Sequence, residues 1–136
     1  MKKHKILSAL LVVLLLAAMV PAQAAYIEDE TAPPYFTGLV MGQTSIDIGT
    51  LGKATCTASV QCREGYTMDV TLSLQENDGS GWSTLRSWSK SGTPIVNITE
   101  SYYVNTNYSH RTCIYVEVSD SNGNFVESAV AYSSVV

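Results

Sequence analysis

From residue 45 onward, apolar and polar side chains alternate at every second position, the period of half-buried β-strands. Residues 53–62 set Ala54, Cys56, Ala58, Val60 and Cys62 on one face against Thr55, Thr57, Ser59 and Gln61 on the other. Residues 66–76 repeat the pattern with Tyr66, Met68, Val70, Leu72 and Leu74. Residues 108–118 set Thr112, Ile114, Val116 and Val118 against Arg111, Cys113, Tyr115 and Glu117. Weaker alternation marks 45–48, 82–89, 95–104 and 125–132, and no segment carries the spacing of an amphipathic helix. Turn residues separate the runs: Gly49 and Gly52, Gly65, Asn77 to Gly81, Gly92 and Pro94, Asn105 and Asn107, and Asn122-Gly123. Short strands divided by turns predict an all-β chain, an antiparallel two-sheet immunoglobulin-like sandwich of about seven strands. Its expected core is Val60, Val70, Leu72, Leu74, Ile98, Ile114, Val116, Val118 and Val130.

The first segment has a different character. Lys2, Lys3 and Lys5 precede an apolar stretch over residues 6–20, which ends in Pro21 and the small-residue exit Ala22-Gln23-Ala24. This is the layout of a secretory signal peptide, with cleavage after Ala24. Its fifteen residues, apolar but for Ser8, reach roughly 22 Å as a helix, short of a hydrocarbon core of about 30 Å. Residues 1–24 are thus read as a signal peptide, 25–44 as an acidic, Pro-containing arm, and 45–136 as the sandwich domain. The arm carries Glu28-Asp29-Glu30 and Pro33-Pro34, then Tyr35, Phe36, Leu39, Val40 and Met41. Those last residues are too apolar for a linker, so the arm is expected to lie against the domain or to add an edge strand. The destination is extracellular and oxidising, with no membrane attachment after cleavage.

Charge narrows the partners. Of 8 basic and 12 acidic residues, three lysines leave with the signal, so the mature chain carries five basic against twelve acidic residues. A net negative surface disfavours nucleic acid and anionic membranes, both of which need a positive face.

Several local patterns point to a family. Gly65-Tyr66 opens a strand, Gly79-Ser-Gly81-Trp82 leads to Ser87-Trp88 and Ser91-Gly92, and Tyr103, Tyr108 and Arg111 follow at fixed intervals. An Asn122-Gly123 hairpin with Glu127 and Tyr132-Ser133 completes the set. Over residues 52–133 the chain resembles a family of small secreted β-sandwich proteins of Gram-positive anaerobes. The resemblance implies a β-sandwich and brings no activity with it. The three cysteines depart from that pattern.

Little in the chain suits catalysis. After cleavage one histidine remains, His110, and its parity makes it a partly buried residue at a strand end. A His-based metal site or a Ser-His dyad would depend on it alone. Glu28/Glu30 and Glu76/Asp78 fall in the arm and in a hairpin loop, neither of which holds two carboxyls at a set separation. Asp120-Ser-Asn122-Gly123-Asn124 with Glu127 echoes a calcium loop, but glycine and glutamate fall at positions four and eight instead of six and twelve, so a hairpin turn is expected. The chain is therefore expected to be no enzyme and to need no metal or cofactor.

Three thiols in a secreted chain suggest one disulfide and one cysteine left over. Cys56 and Cys62 lie six residues apart on one strand, about 20 Å, far beyond disulfide reach. Cys113 could meet Cys56 or Cys62 across the sheets, although its parity points outward. A bulge near Thr112 would reverse that parity; without one all three stay free, or Cys113 pairs between chains.

Surface aromatics are what remains. Trp82 and Trp88 share a face if their segment is a regular strand, with Arg86 between them. Such an edge strand could stack sugar rings while Arg86, Thr84 and Gln75 bond the hydroxyls; alternatively, either Trp closes the open side of the core. Two functions follow. One is a secreted non-catalytic binding domain for extracellular glycan or cell-wall polymer, with Trp82, Arg86 and Trp88 as ligand-binding candidates. The other is a structural or protein-interaction sandwich that engages a protein surface through its arm or sheet edges.

Overall fold

The structure is a computed structural model that describes residues 36–136. The signal segment, its cleavage site and the Glu28 to Pro34 part of the arm lie outside the described residues. Seven strands follow one another: β1 (Leu39–Ile48), β2 (Lys53–Cys62), β3 (Tyr66–Asn77), β4 (Trp82–Gly92), β5 (Ile95–Tyr103), β6 (Ser109–Asp120) and β7 (Phe125–Tyr132). They form two antiparallel sheets, ordered β1-β2-β5 and β4-β3-β6-β7. This is the expected immunoglobulin-like sandwich, with the fourth strand on the sheet of the third, not that of the first as in antibody constant domains. The hairpin after β3 explains the switch. Asn77 Oδ1 accepts the N–H groups of Gly79 and Gly81 at 2.9 and 3.3 Å, and Asp78 Oδ1 that of Ser80 at 3.0 Å. The chain therefore reverses within a few residues and β4 is laid directly along β3.

The inner faces meet in one core. Ala54, Cys56, Val60, Leu72, Leu74, Ile114, Val116 and Val118 are essentially without solvent contact, and Ile98 is nearly so. Val130 is a correction: it faces outward, and Ala129 and Ala131 take the buried positions. The cause is local. Phe125 pairs with Ser119 but Glu127 pairs with Val118, so Val126 is an extra residue that inverts the parity of everything after it. β1 likewise begins at Leu39, ahead of the boundary drawn at residue 45. The apolar end of the arm is an edge strand, with Val40 as its extra residue.

The same inversion turns Glu127 toward the start of β1. Its carboxylate accepts the backbone N–H groups of Thr37 at 2.9 Å, Gly38 at 2.5 Å and Leu39 at 3.2 Å, fastening one sheet to the other. Gly38 is required there because a Cβ would stand 2.8 Å from the Tyr66 ring. Glu127→Ala leaves three backbone donors without their acceptor, two of them part-buried, which costs about 2–3 kcal/mol. Chemical denaturation should show this loss, and an unchanged midpoint would mean that water replaces the carboxylate at no cost.

Candidate functional site

The outer face of the four-stranded sheet carries the most organised group of side chains. Trp82, at the start of β4, lies beside Arg111 of β6, whose guanidinium carbon is 4.1 Å from the Trp82 ring centre. Tyr132, at the end of β7, flanks the same guanidinium at 4.2 Å. Gln75 of β3 is the register partner of Arg111, and its Oε1 accepts the Arg111 Nε–H at 2.8 Å. Four strands thus converge on one cation stacked between two aromatic rings, an arrangement that favours Arg because its planar, weakly hydrated group tolerates contact on both faces. All four residues are partly exposed. Along the sheet the surface becomes hydroxyl-rich, with Ser73 bonded to Ser87 at 2.8 Å and Thr71 to Ser89 at 3.1 Å.

The expected triad of Trp82, Arg86 and Trp88 does not form. Arg86 pairs with Leu74 and Thr84 with Gln75, so Leu85 is an extra residue. Before it, Trp82 belongs to the outer face; after it, Trp88 sits opposite Leu72 and packs against the core. Arg86 is exposed on the Trp88 side of the bulge. Gln75 and Thr84 do lie on the face of Trp82. Arg111 was legible as outward-facing from the alternation of its strand, whereas no feature of the sequence reveals that Tyr132 joins it.

A second cluster lies beneath. His110 is fully buried, and its Nε2 is 3.0 Å from Glu76 Oε2. Glu76 is therefore not a loop residue: β3 runs through it to Asn77. The pair has the form of a base with its orienting carboxylate, but the imidazole is sealed from solvent. Its backbone is closed by Val136, with both N–H···O bonds at 2.8–2.9 Å. The Thr112 and Thr44 hydroxyls, 2.7 Å apart, are bonded to each other, and Thr44 also donates to the Thr57 carbonyl. Among the described residues no group of three His, Cys, Asp or Glu could hold a metal ion. Asp120 instead closes its turn, its Oδ1 accepting the N–H groups of Asn122 and Asn124 at 2.9 Å.

The thiols are all free. Cys113 faces outward next to Tyr132, on the far side of its sheet from the buried Cys56 and Cys62, so the bridge from Cys113 to Cys56 or Cys62 is excluded by the parity of an unbulged β6. Burial raises the Cys113 thiol; a hydrogen bond with Tyr132 and the charge of Arg111 act against that rise. Burial pushes the Cys56 thiol up from 9.0 to about 11. Above pH 9 the unfolded chain loses this proton first, so the folded state is the one that binds more protons and stability falls as pH rises toward 11. The unfolding midpoint should drop across that window, and the drop should be shallower in Cys56→Ala; parallel curves for the two proteins would contradict it.

No protein-family model and no curated protein matches this chain. Among solved structures, the solution structure of R. palustris CsgH is similar with a TM-score of 0.38 and 11% sequence identity, over 68% of this chain and 90% of that one.

Proposed function

We propose that the chain is a secreted, non-catalytic binding domain that holds an extracellular glycan or cell-wall polymer on the outer face of its four-stranded sheet. The observation that carries this reading is the group of Trp82, Arg111, Tyr132 and Gln75, two aromatic rings and two polar side chains kept out of the core on rigid strands. Aromatic surface covers the apolar face of a sugar and adjacent amide, guanidinium and hydroxyl groups bond its edges. Absence of catalysis fits the sealing of His110, since a general base must reach its substrate. Secretion rests on the pattern of residues 1–24 and agrees with the resemblance to secreted proteins of Gram-positive anaerobes. A glycan array probed with the mature domain and with Trp82→Ala tests the reading. Binding by the first and not the second supports it; equal binding by both places the ligand elsewhere.

One observation favours the protein-interaction reading. Of the four edge strands, β1, β4 and β7 each contain an extra residue that disrupts pairing, whereas β5 is regular over Ile95–Gln61 to Tyr103–Lys53 pairs. Regular edges accept added strands. A protein partner captured in the presence of Trp82→Ala and lost on a proline substitution at Glu100 would favour it.

A further inference from the structure

The platform contains a cation that pairs with no carboxylate among the described residues. Arg111 donates its Nε–H to Gln75 and is stacked by Trp82 and Tyr132, which fixes the plane of the guanidinium and leaves the four N–H groups of its two terminal nitrogens. Among the described residues the carboxylates of the same sheet are engaged elsewhere. Glu76, one position away in the register, points to the opposite face and binds His110. Asp78 accepts both the N–H and the hydroxyl of Ser80, and chiefly that hydroxyl holds its carboxyl below the usual range. Glu117 is six residues along β6, about 20 Å away, and accepts the Tyr115 hydroxyl at 2.9 Å. Among the described residues no Lys or Arg side chain forms an ion pair with a carboxylate.

An oriented guanidinium with its terminal nitrogens unpaired among the described residues, in a chain with more acids than bases, is unusual as a purely structural element. Building on the binding reading above, we propose that the ligand is an anionic polymer, and that Arg111 pairs with an oxyanion it carries, a uronic acid carboxylate or a backbone phosphodiester. The planar fork matches two oxygens of either group at once, and stacking orders the side chain before the ligand arrives. The net negative charge of the chain then acts as a filter. Polyanions that do not reach Arg111 are repelled, so binding is confined to this face.

Affinity electrophoresis of the mature chain through gels containing polygalacturonate, poly(glycerol phosphate) or a neutral β-glucan tests the inference, with Trp82→Ala, Arg111→Gln and Arg111→Lys run alongside. Retardation by at least one charged polymer is expected, weakening as salt is raised. Arg111→Gln should lose about tenfold or more in affinity, and Arg111→Lys should lose nearly as much because it keeps the charge without the fork. Retardation by polygalacturonate alone assigns a carboxylate, and by poly(glycerol phosphate) alone a phosphodiester. Should the arginine variants fail to fold, displacement of the native chain by free galacturonate or glycerol phosphate decides the same question: release supports the anionic assignment and unchanged retardation overturns it. Binding to the neutral glucan alone, lost in Trp82→Ala and unchanged in Arg111→Gln, overturns the anionic assignment and keeps the platform. Absence of retardation by all three polymers overturns the anionic assignment too, and equal retardation of native and Trp82→Ala protein removes the platform itself.

Discussion

Trp88→Ala lowers the unfolding midpoint by roughly 10 °C, while Trp82→Ala leaves it nearly in place and abolishes retention on polysaccharide or cell-wall material. The two residues are six apart in one strand, yet the extra residue Leu85 sends them to opposite faces. Trp88 covers Leu72 at the open side of the sandwich and packs on the core while still partly exposed. Its truncation should cost about 2–3 kcal/mol, below the 3–5 kcal/mol of a fully buried aromatic, and in a domain of this size each kcal/mol is worth about 4–8 °C. Trp82 contacts Arg111 on the outer face, where a cation–aromatic contact contributes about 0.5–1 kcal/mol. Thermal unfolding of both variants, with polymer pull-down of the one that stays folded, separates the roles. A similar loss of midpoint in both would mean that Trp82 also supports the core.

Leu72→Ala should cost about 3–5 kcal/mol. Leu72 is wholly buried in β3, a central strand, with Ile114 and Trp88 as its register partners on either side. Both adjoining strands are paired with β3 at this position and cannot collapse into the space, so most of the cavity should persist. That is a large part of the 5–15 kcal/mol a small domain commands, and urea titration should show the midpoint falling by a third or more. Because Leu72 and Trp88 touch the same volume, the double variant should lose less than the sum of the single losses. A loss below about 1 kcal/mol for Leu72→Ala would mean the core repacks around it.

The interior strands were readable and three of the four edges were not, for one physical reason. β2, β3 and β6 are paired on both sides, none of the three itself contains an extra residue, and a strict period of two survives from sequence to structure. That is why Cys113 could be placed outward and Leu72 inward in advance. β1, β4 and β7 are each free on one side, where an added residue costs little, and Val40, Leu85 and Val126 occupy such positions. Each inverts a parity that the alternation alone would continue, and the misplacement of Val130 and the pairing of Trp82 with Trp88 both descend from it. The candidate site was therefore half legible: Trp82, Gln75 and the outward sense of Arg111 could be read, but Tyr132 depends on a bulge that no residue type announces. Glu76 was missed because it was grouped with Asp78 in the hairpin loop, whereas it lies within β3 opposite His110.

An odd number of antiparallel strands delivers the chain to opposite poles of the domain. Residues 36–38 are fastened by Glu127 beside Tyr66 and Val118, while Trp82, Arg111, Tyr132 and the Val136 that pairs with His110 cluster at the other pole. Along β6 the seven residue steps from Arg111 to Val118 separate the two by about 23 Å. Tension between a polymer gripped at the platform and the segment leading into β1 would thus run along the strands, at right angles to their hydrogen bonds. Such a load is shared by many bonds at once instead of peeling them singly, so the domain is oriented to behave as a stiff strut under pull, with the Glu127 clasp as the anchor that must yield before β1 can slide.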